Sequence, residues 1–116
     1  MYSQIGTLLD SYILINNINS IIQYLDQLED SIDILINNAG ISMRSLFLDA
    51  DLEVLKKIMD VNFWGAVYLT KYALPYLLQS QGSVIGVSSI AGFKGLPART
   101  GYSSSKFALQ GFLESL

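Results

Sequence analysis

The side chains best placed to do chemistry are Tyr102 and Lys106, four residues apart near the end of a 116-residue chain. On a helix that spacing puts them one turn apart on one face. A phenol of ordinary pKa, near 10, is a poor acid–base group at neutral pH. An ammonium within about 4–6 Å favours the phenolate and makes proton transfer practicable. Alone, the pair reads equally well as an amphipathic surface contact. The chain has no histidine and no cysteine, so a Ser-His-Asp triad, a Cys-His pair, an imidazole metal site and a thiolate zinc site are all excluded. Acid–base work falls to Asp, Glu, Lys and Tyr.

Asn37-Asn38-Ala39-Gly40 is more specific. It comes after the apolar run Ile32 to Ile36, and small residues at a strand's carboxyl end let the backbone approach a flat ligand closely. A plain strand-ending turn would look the same. Asp49-Ala50-Asp51-Leu52-Glu53 alternates acids but lacks the glycine and downstream glutamate of a calcium loop, so it reads as a helix start, and no metal site is expected. Gly86-Val87-Ser88-Ser89-Ile90 lacks the second glycine of a nucleophile elbow. Arg44 reads as exposed. Ile90, Phe93, Leu96 and Pro97 form an apolar wall beside Ser89 that favours a hydrophobic substrate, although core packing explains some of them equally well.

These groups need elements to hold them. Tyr12 to Ile15 is a short apolar strand, and Ser20 with Gln23 fits a capping box ahead of the helical spacing Ile18, Ile21, Ile22, Leu25 and Leu28. Ile32 to Ile36 forms a second strand. A helix is expected over Asp51 to Met59, with Asp49 or Asp51 near its cap. A longer one covers Asn62 to Gln79, with Trp64, Val67, Tyr68, Leu74, Leu77 and Leu78 inward and Pro75 kinking it. Ser83 to Ser88 is a third strand. Gly101 to Leu116 is a last helix with Leu109, Phe112, Leu113 and Leu116 on its apolar side. Strand alternating with helix predicts an α/β fold with a parallel sheet, whose ligands sit outside the strands' carboxyl ends. Both Asn38 and Ser89 fall there.

Composition narrows the classes further. Net charge is −3, with 51% hydrophobic and 15% charged residues, which describes a globular interior and one domain. No basic stripe is present, so nucleic acid is not an expected partner. The longest uncharged stretch, Tyr72 to Phe93, carries Pro75, Gly82 and Gly86 and is not a membrane span. Met1 opens no secretory signal, and a cytoplasmic location is the expectation.

The motifs together resemble the short-chain dehydrogenase/reductase family. Asp33-Ile34-Leu35-Ile36-Asn37-Asn38-Ala39-Gly40 is similar to its β4 segment, and Asp60-Val61-Asn62-Phe63-Trp64-Gly65 to its Asn-bearing segment. Gly82 to Gly92 resembles its β5 with the catalytic serine, and Gly101 to Leu109 its Tyr-x-x-x-Lys helix. The intervals Asn38 to Asn62, Ser89 to Tyr102 and Tyr102 to Lys106 agree with the family's. The resemblance implies a Rossmann-like, doubly wound parallel sheet, present here only from the β3 to the αF equivalents. It implies that Tyr102 exchanges a proton with the substrate oxygen and that Lys106 tunes Tyr102 and holds the nicotinamide ribose. Ser89, preferred to Ser88 for its distance to Tyr102, would hydrogen-bond the substrate carbonyl, and Asn62 would hold a relay water. Asn38, Ala39 and Gly40 would line the adenosine-ribose side of NADP or NAD, with a slight lean to NADP, while Asn37 braces the sheet.

The implied activity is hydride transfer between NAD(P)(H) and a carbonyl or alcohol substrate by a homodimer or homotetramer. The alternative is a non-catalytic module of the same fold that senses cofactor or mediates dimerisation. The family's G-x-x-x-G-x-G turn is missing, as are its last strands and substrate lid, so residues 1–116 read as a partial domain. Only the Ile34 and Ile85 strands should be sheet neighbours, and the chain alone should hold NADPH no more tightly than millimolar.

Overall fold

A computed structural model describes residues 18–27 and 31–116. The expected strand at Tyr12 to Ile15 lies outside the described residues. Helix α1 (Ile18–Asp26) is followed by strand β1 (Ile34–Asn37) and a 3-10 turn (Phe47–Asp49). Helix α2 (Leu52–Met59), a π-helical segment (Asp60–Trp64) and helix α3 (Gly65–Ser80) come next. Strand β2 (Ser83–Gly86), a second 3-10 turn (Ile90–Gly92) and helix α4 (Thr100–Ser115) complete the chain.

The two strands form a parallel pair with Ile34 opposite Ser83 and Ile36 opposite Ile85, the neighbours implied by the family resemblance. Leu35 and Asn37 alternate inward while Ile34 and Ile36 lie on the open side. The inner face packs on α3, and the core there is Leu25, Ile32, Leu35, Ala73 and Leu77. Burying each such Leu or Ile contributes about 1.5–3 kcal/mol. Asn37 Nδ2 donates to Thr70 Oγ1 at 3.0 Å, so Asn37 does brace the sheet against α3. The Tyr76 hydroxyl donates to Asp26 Oδ1 at 2.8 Å, tying α3 to α1. That hydrogen bond to the carboxylate holds the Tyr76 phenol above its ordinary pKa.

Of the two candidate caps, Asp51 is the one that caps α2, its carboxylate accepting from the Glu53 amide at 2.9 Å. Four expectations change. Ser20 lies inside α1 and not ahead of it. The helices expected to be separate, over Asp51 to Met59 and Asn62 to Gln79, run together as one: every junction residue is right-handed helical, and the π turn absorbs the phase shift that reads in sequence as a boundary. Trp64 and Leu78 of this helix, and Leu116 after α4, are exposed; the buried positions of α3 are Gly65, Ala66, Thr70, Ala73 and Leu77. Pro75, expected as a kink, sits on the exposed side of α3 without ending it.

Candidate active site

β1 ends at Asn37, and the next three residues, Asn38, Ala39 and Gly40, emerge exposed at its carboxyl end. The Ile41 peptide beyond them is held tightly. The Asn62 side chain, buried in the π turn, accepts from the Ile41 amide at 2.8 Å through Oδ1 and donates to the Ile41 carbonyl at 2.9 Å through Nδ2. Nδ2 also donates to Ser105 Oγ on α4 at 2.9 Å. A π turn widens the helix by one residue and re-aims a side chain there. In this chain it turns Asn62 toward Ile41 and α4.

Lys106 is only 4% exposed, and its ammonium donates to the Val87 carbonyl at 2.8 Å, just beyond β2. A buried ammonium carries three donors and is costly to leave unpaired. The other two have no protein acceptor among the described residues. The Nζ lies 5.8 Å from the centre of the Tyr102 ring, and the Arg99 guanidinium lies 6.0 Å from the same ring. A Cβ placed on Gly40 would sit 3.4 Å from Lys106 Nζ and 3.5 Å from Asn62 Oδ1. Gly40, Asn62, Tyr102 and Lys106 therefore converge on one small volume at the strand ends.

Ser89 caps the second 3-10 turn, its Oγ accepting from the Ala91 amide at 3.1 Å. Its own proton has no acceptor among the described residues, and it shares no hydrogen bond with Tyr102, whose hydroxyl is likewise unengaged. Ser88 differs: its Oγ is buried without a partner. A Cβ on Gly92 would lie 2.5 Å from Ser88 Oγ and 2.9 Å from the Lys106 carbonyl, so only glycine lets this turn rest against α4. Ile90 is 77% and Phe93 89% exposed, which removes core packing as an account of those two. Leu96 is half-buried and Pro97 exposed.

The loops flanking the site are clasped together. The Ser45 amide donates to the Ala98 carbonyl at 2.8 Å, and Arg99 Nη1 donates to Ser42 Oγ at 2.7 Å. Ala98 takes a left-handed backbone (φ 61°), a conformation L residues hold only when their surroundings impose it. Arg44 is exposed, as the sequence suggested. Ser105 and Val87 were not singled out by sequence. Ser105 had a readable signal: it falls on the stripe Gly101, Ser105, Leu109, all buried, and a hydroxyl on a buried stripe needs a partner. Val87 had none, because it acts through its main-chain carbonyl.

Among the described residues no cluster of acids could hold a metal ion, and no helix is long and apolar enough to cross a membrane. A family model described as short chain dehydrogenase matches residues 14–116. The chain is 45% identical over 86 residues to the human dehydrogenase/reductase SDR family member 7, an alignment covering 73% of this chain and 25% of that protein. It thus spans about a quarter to a third of the length of the curated relatives it matches. A short-chain dehydrogenase from Burkholderia cenocepacia, solved with NADP, superposes with a TM-score of 0.79 at 31% identity, over 87% of this chain and 43% of that one. A 4-hydroxyisoleucine dehydrogenase solved with NADH and succinate superposes with a TM-score of 0.81 at 28% identity, over 95% and 51%. With a Rossmann-type arrangement of β1, α3, β2 and α4 and the family's motifs gathered at the strand ends, the chain belongs to the short-chain dehydrogenase/reductase family.

Proposed function

We propose that the protein carrying this chain is an NAD(P)-dependent oxidoreductase that interconverts a carbonyl and an alcohol on an apolar substrate. The observation that carries this is the Lys106 ammonium: buried, held at the Val87 carbonyl, near the Tyr102 ring and open toward Gly40. The residues fit a nicotinamide nucleotide. Lys106 keeps two donors for a pair of ribose hydroxyls, and Gly40 keeps clear the space that a Cβ would fill beside them. When bound, the cofactor supplies or accepts the hydride.

The chain's own residues then position the substrate and move one proton. Tyr102 gives its hydroxyl proton to the substrate oxygen in reduction and takes it back in oxidation. Ser89 donates its unengaged hydroxyl to the same oxygen. The Lys106 ammonium, 5.8 Å from the centre of the Tyr102 ring, places a positive charge beside that ring. Asn38, Ala39 and Gly40 line the adenosine-ribose side. The Asn62 carboxamide spends both N–H groups on Ile41 and Ser105, so a relay water would rest on main-chain carbonyl oxygen in the π turn, where the regular ladder is interrupted. Exposed Ile90 and Phe93 favour an apolar substrate body. Solved relatives hold either NADP or NADH; NADP is the form we expect. Exposed Trp64 and Leu78 on the α2–α3 helix, with Phe107 on α4, support self-association into a homodimer or homotetramer.

Tyr102→Phe should abolish hydride transfer, a loss of at least about 10²-fold in kcat, while cofactor binding persists. Turnover within a few-fold of the parent would overturn the assignment. Steady-state rates and cofactor titration by calorimetry read the two quantities separately.

A further inference from the structure

Two residues of the proposed site, Tyr102 and Lys106, lie on one turn of α4, and the hydroxyl between them is fully buried. Ser105 Oγ donates to the Tyr102 carbonyl at 2.7 Å and accepts from Asn62 Nδ2 at 2.9 Å. Asn62 in turn holds both the amide and the carbonyl of Ile41, the residue after Gly40. Gly40 closes the circuit, since a Cβ there would meet Lys106 Nζ at 3.4 Å. The path therefore runs from the β1 turn through the π turn to α4 and back to the turn.

We propose that Ser105 is a positioning residue, the junction that fixes Tyr102 and Lys106 of α4 relative to the Asn38–Gly40 turn. This rests on the oxidoreductase reading above. Two elements distant in the chain, the π turn and α4, meet at this one oxygen, and Asn62 extends the link to Ile41; the bond from Asn62 restrains α4 from sliding or rotating against the π turn. A hydroxyl is what the place requires. It must donate to one carbonyl and accept from one amide at once, which a methyl group cannot do. Removing it leaves Asn62 Nδ2 with a buried, unpaired hydrogen and cuts the link between α4 and the π turn, so the reacting oxygen loses its fixed distance to the cofactor turn. Misplacement of a reacting group by about 1 Å is enough to cost on the order of 10²-fold in rate.

The test uses the protein that carries this chain, with benzil as an apolar carbonyl probe and NADPH and NADH in parallel. Ser105→Ala should lower kcat by about tenfold or more while the KM for the cofactor moves less than about twofold. Ser105→Thr, which retains the oxygen, should recover most of that loss. Because Ser105 and Asn62 act through one hydrogen bond, the double variant with Asn62→Ala should be no slower than Asn62→Ala alone. Amide exchange read by mass spectrometry should quicken at Ile41 and across Tyr102 to Lys106 in Ser105→Ala. The double-variant comparison and the exchange measurement serve if the threonine does not fold. A kcat for Ser105→Ala within twofold of the parent, or losses that multiply in the double variant, would overturn the junction. Failure of the oxidoreductase reading looks different: neither cofactor is oxidised with benzil by the parent. Ser105 is then decided by exchange alone, and unchanged exchange at Ile41 overturns it.

Discussion

Asn37 and Asn38 are neighbours with opposite fates. Asn37 points inward and its Nδ2 meets Thr70 Oγ1, whereas Asn38 is exposed at the strand end. Alternation of side chains along a strand forces this division: two successive residues cannot both face the core. Replacing Asn37 by Ala removes one partner of a buried pair and leaves Thr70 Oγ1 unsatisfied, which costs about 1–3 kcal/mol. Asn37→Ala should therefore lower the denaturant midpoint while leaving the KM for cofactor unchanged. A KM that rises as much as it does for an Asn38 variant would move Asn37 into the site. At this scale the sequence was most informative where spacing alone sets proximity: Tyr102 and Lys106, four residues apart, lie one turn apart on α4. It was least informative where the main chain does the work, as at Val87 and Ile41.

Helix ends were legible when a side chain made the cap and obscure when the backbone did. Asp51 could be read because a carboxylate at a helix start accepts an amide. The end of α3 is a backbone motif: the Gly82 amide reaches the Leu77 carbonyl at 2.8 Å and the Gln81 amide the Leu78 carbonyl at 3.3 Å. Gln81 itself is left-handed (φ 56°), a position glycine usually fills. An L residue gives up about 1–2 kcal/mol there, offset in part by glycine's larger unfolded entropy. Gln81→Gly should thus stabilise the fold by about 0.5–1 kcal/mol. Urea unfolding with an unchanged m-value checks it; a lower midpoint would show that the Gln81 side chain is needed. The π turn is the opposite case. Nothing in Asp60 to Trp64 announces a widened turn, because its cause lies 21 residues away in the Ile41 peptide that Asn62 grips.

Seen whole, the described residues make a two-stranded parallel sheet with helices on one face. The other face presents Ile34, Ile36 and Ile85, between 37% and 46% exposed. Parallel sheets are generally covered on both sides, and this chain covers only 25% of the human relative's length. We therefore propose that the 116 residues are the central part of a larger dinucleotide-binding domain, and that further chain covers this face. Ile36→Asp and Ile85→Asp should then each destabilise the protein that carries the chain by several kcal/mol, since each would bury an unpaired charge. A shift within about 0.5 kcal/mol in thermal or urea unfolding would mean the face is solvated.

The family resemblance supplied the neighbouring of the Ile34 and Ile85 strands. Residue chemistry and local pattern were enough to determine the α/β class of fold and to single out candidate side chains for moving a proton without histidine or cysteine. Those properties come from hydrophobic period, turn composition and pKa, each local to a few residues. Only the tertiary structure joined α2 to α3, exposed Ile90 and Phe93, spent the Asn62 carboxamide on Ile41 and brought Ser105 between the parts. Each of these is decided by a partner distant in sequence, and hydrogen bonds and packing are satisfied in space, where sequence separation carries no weight.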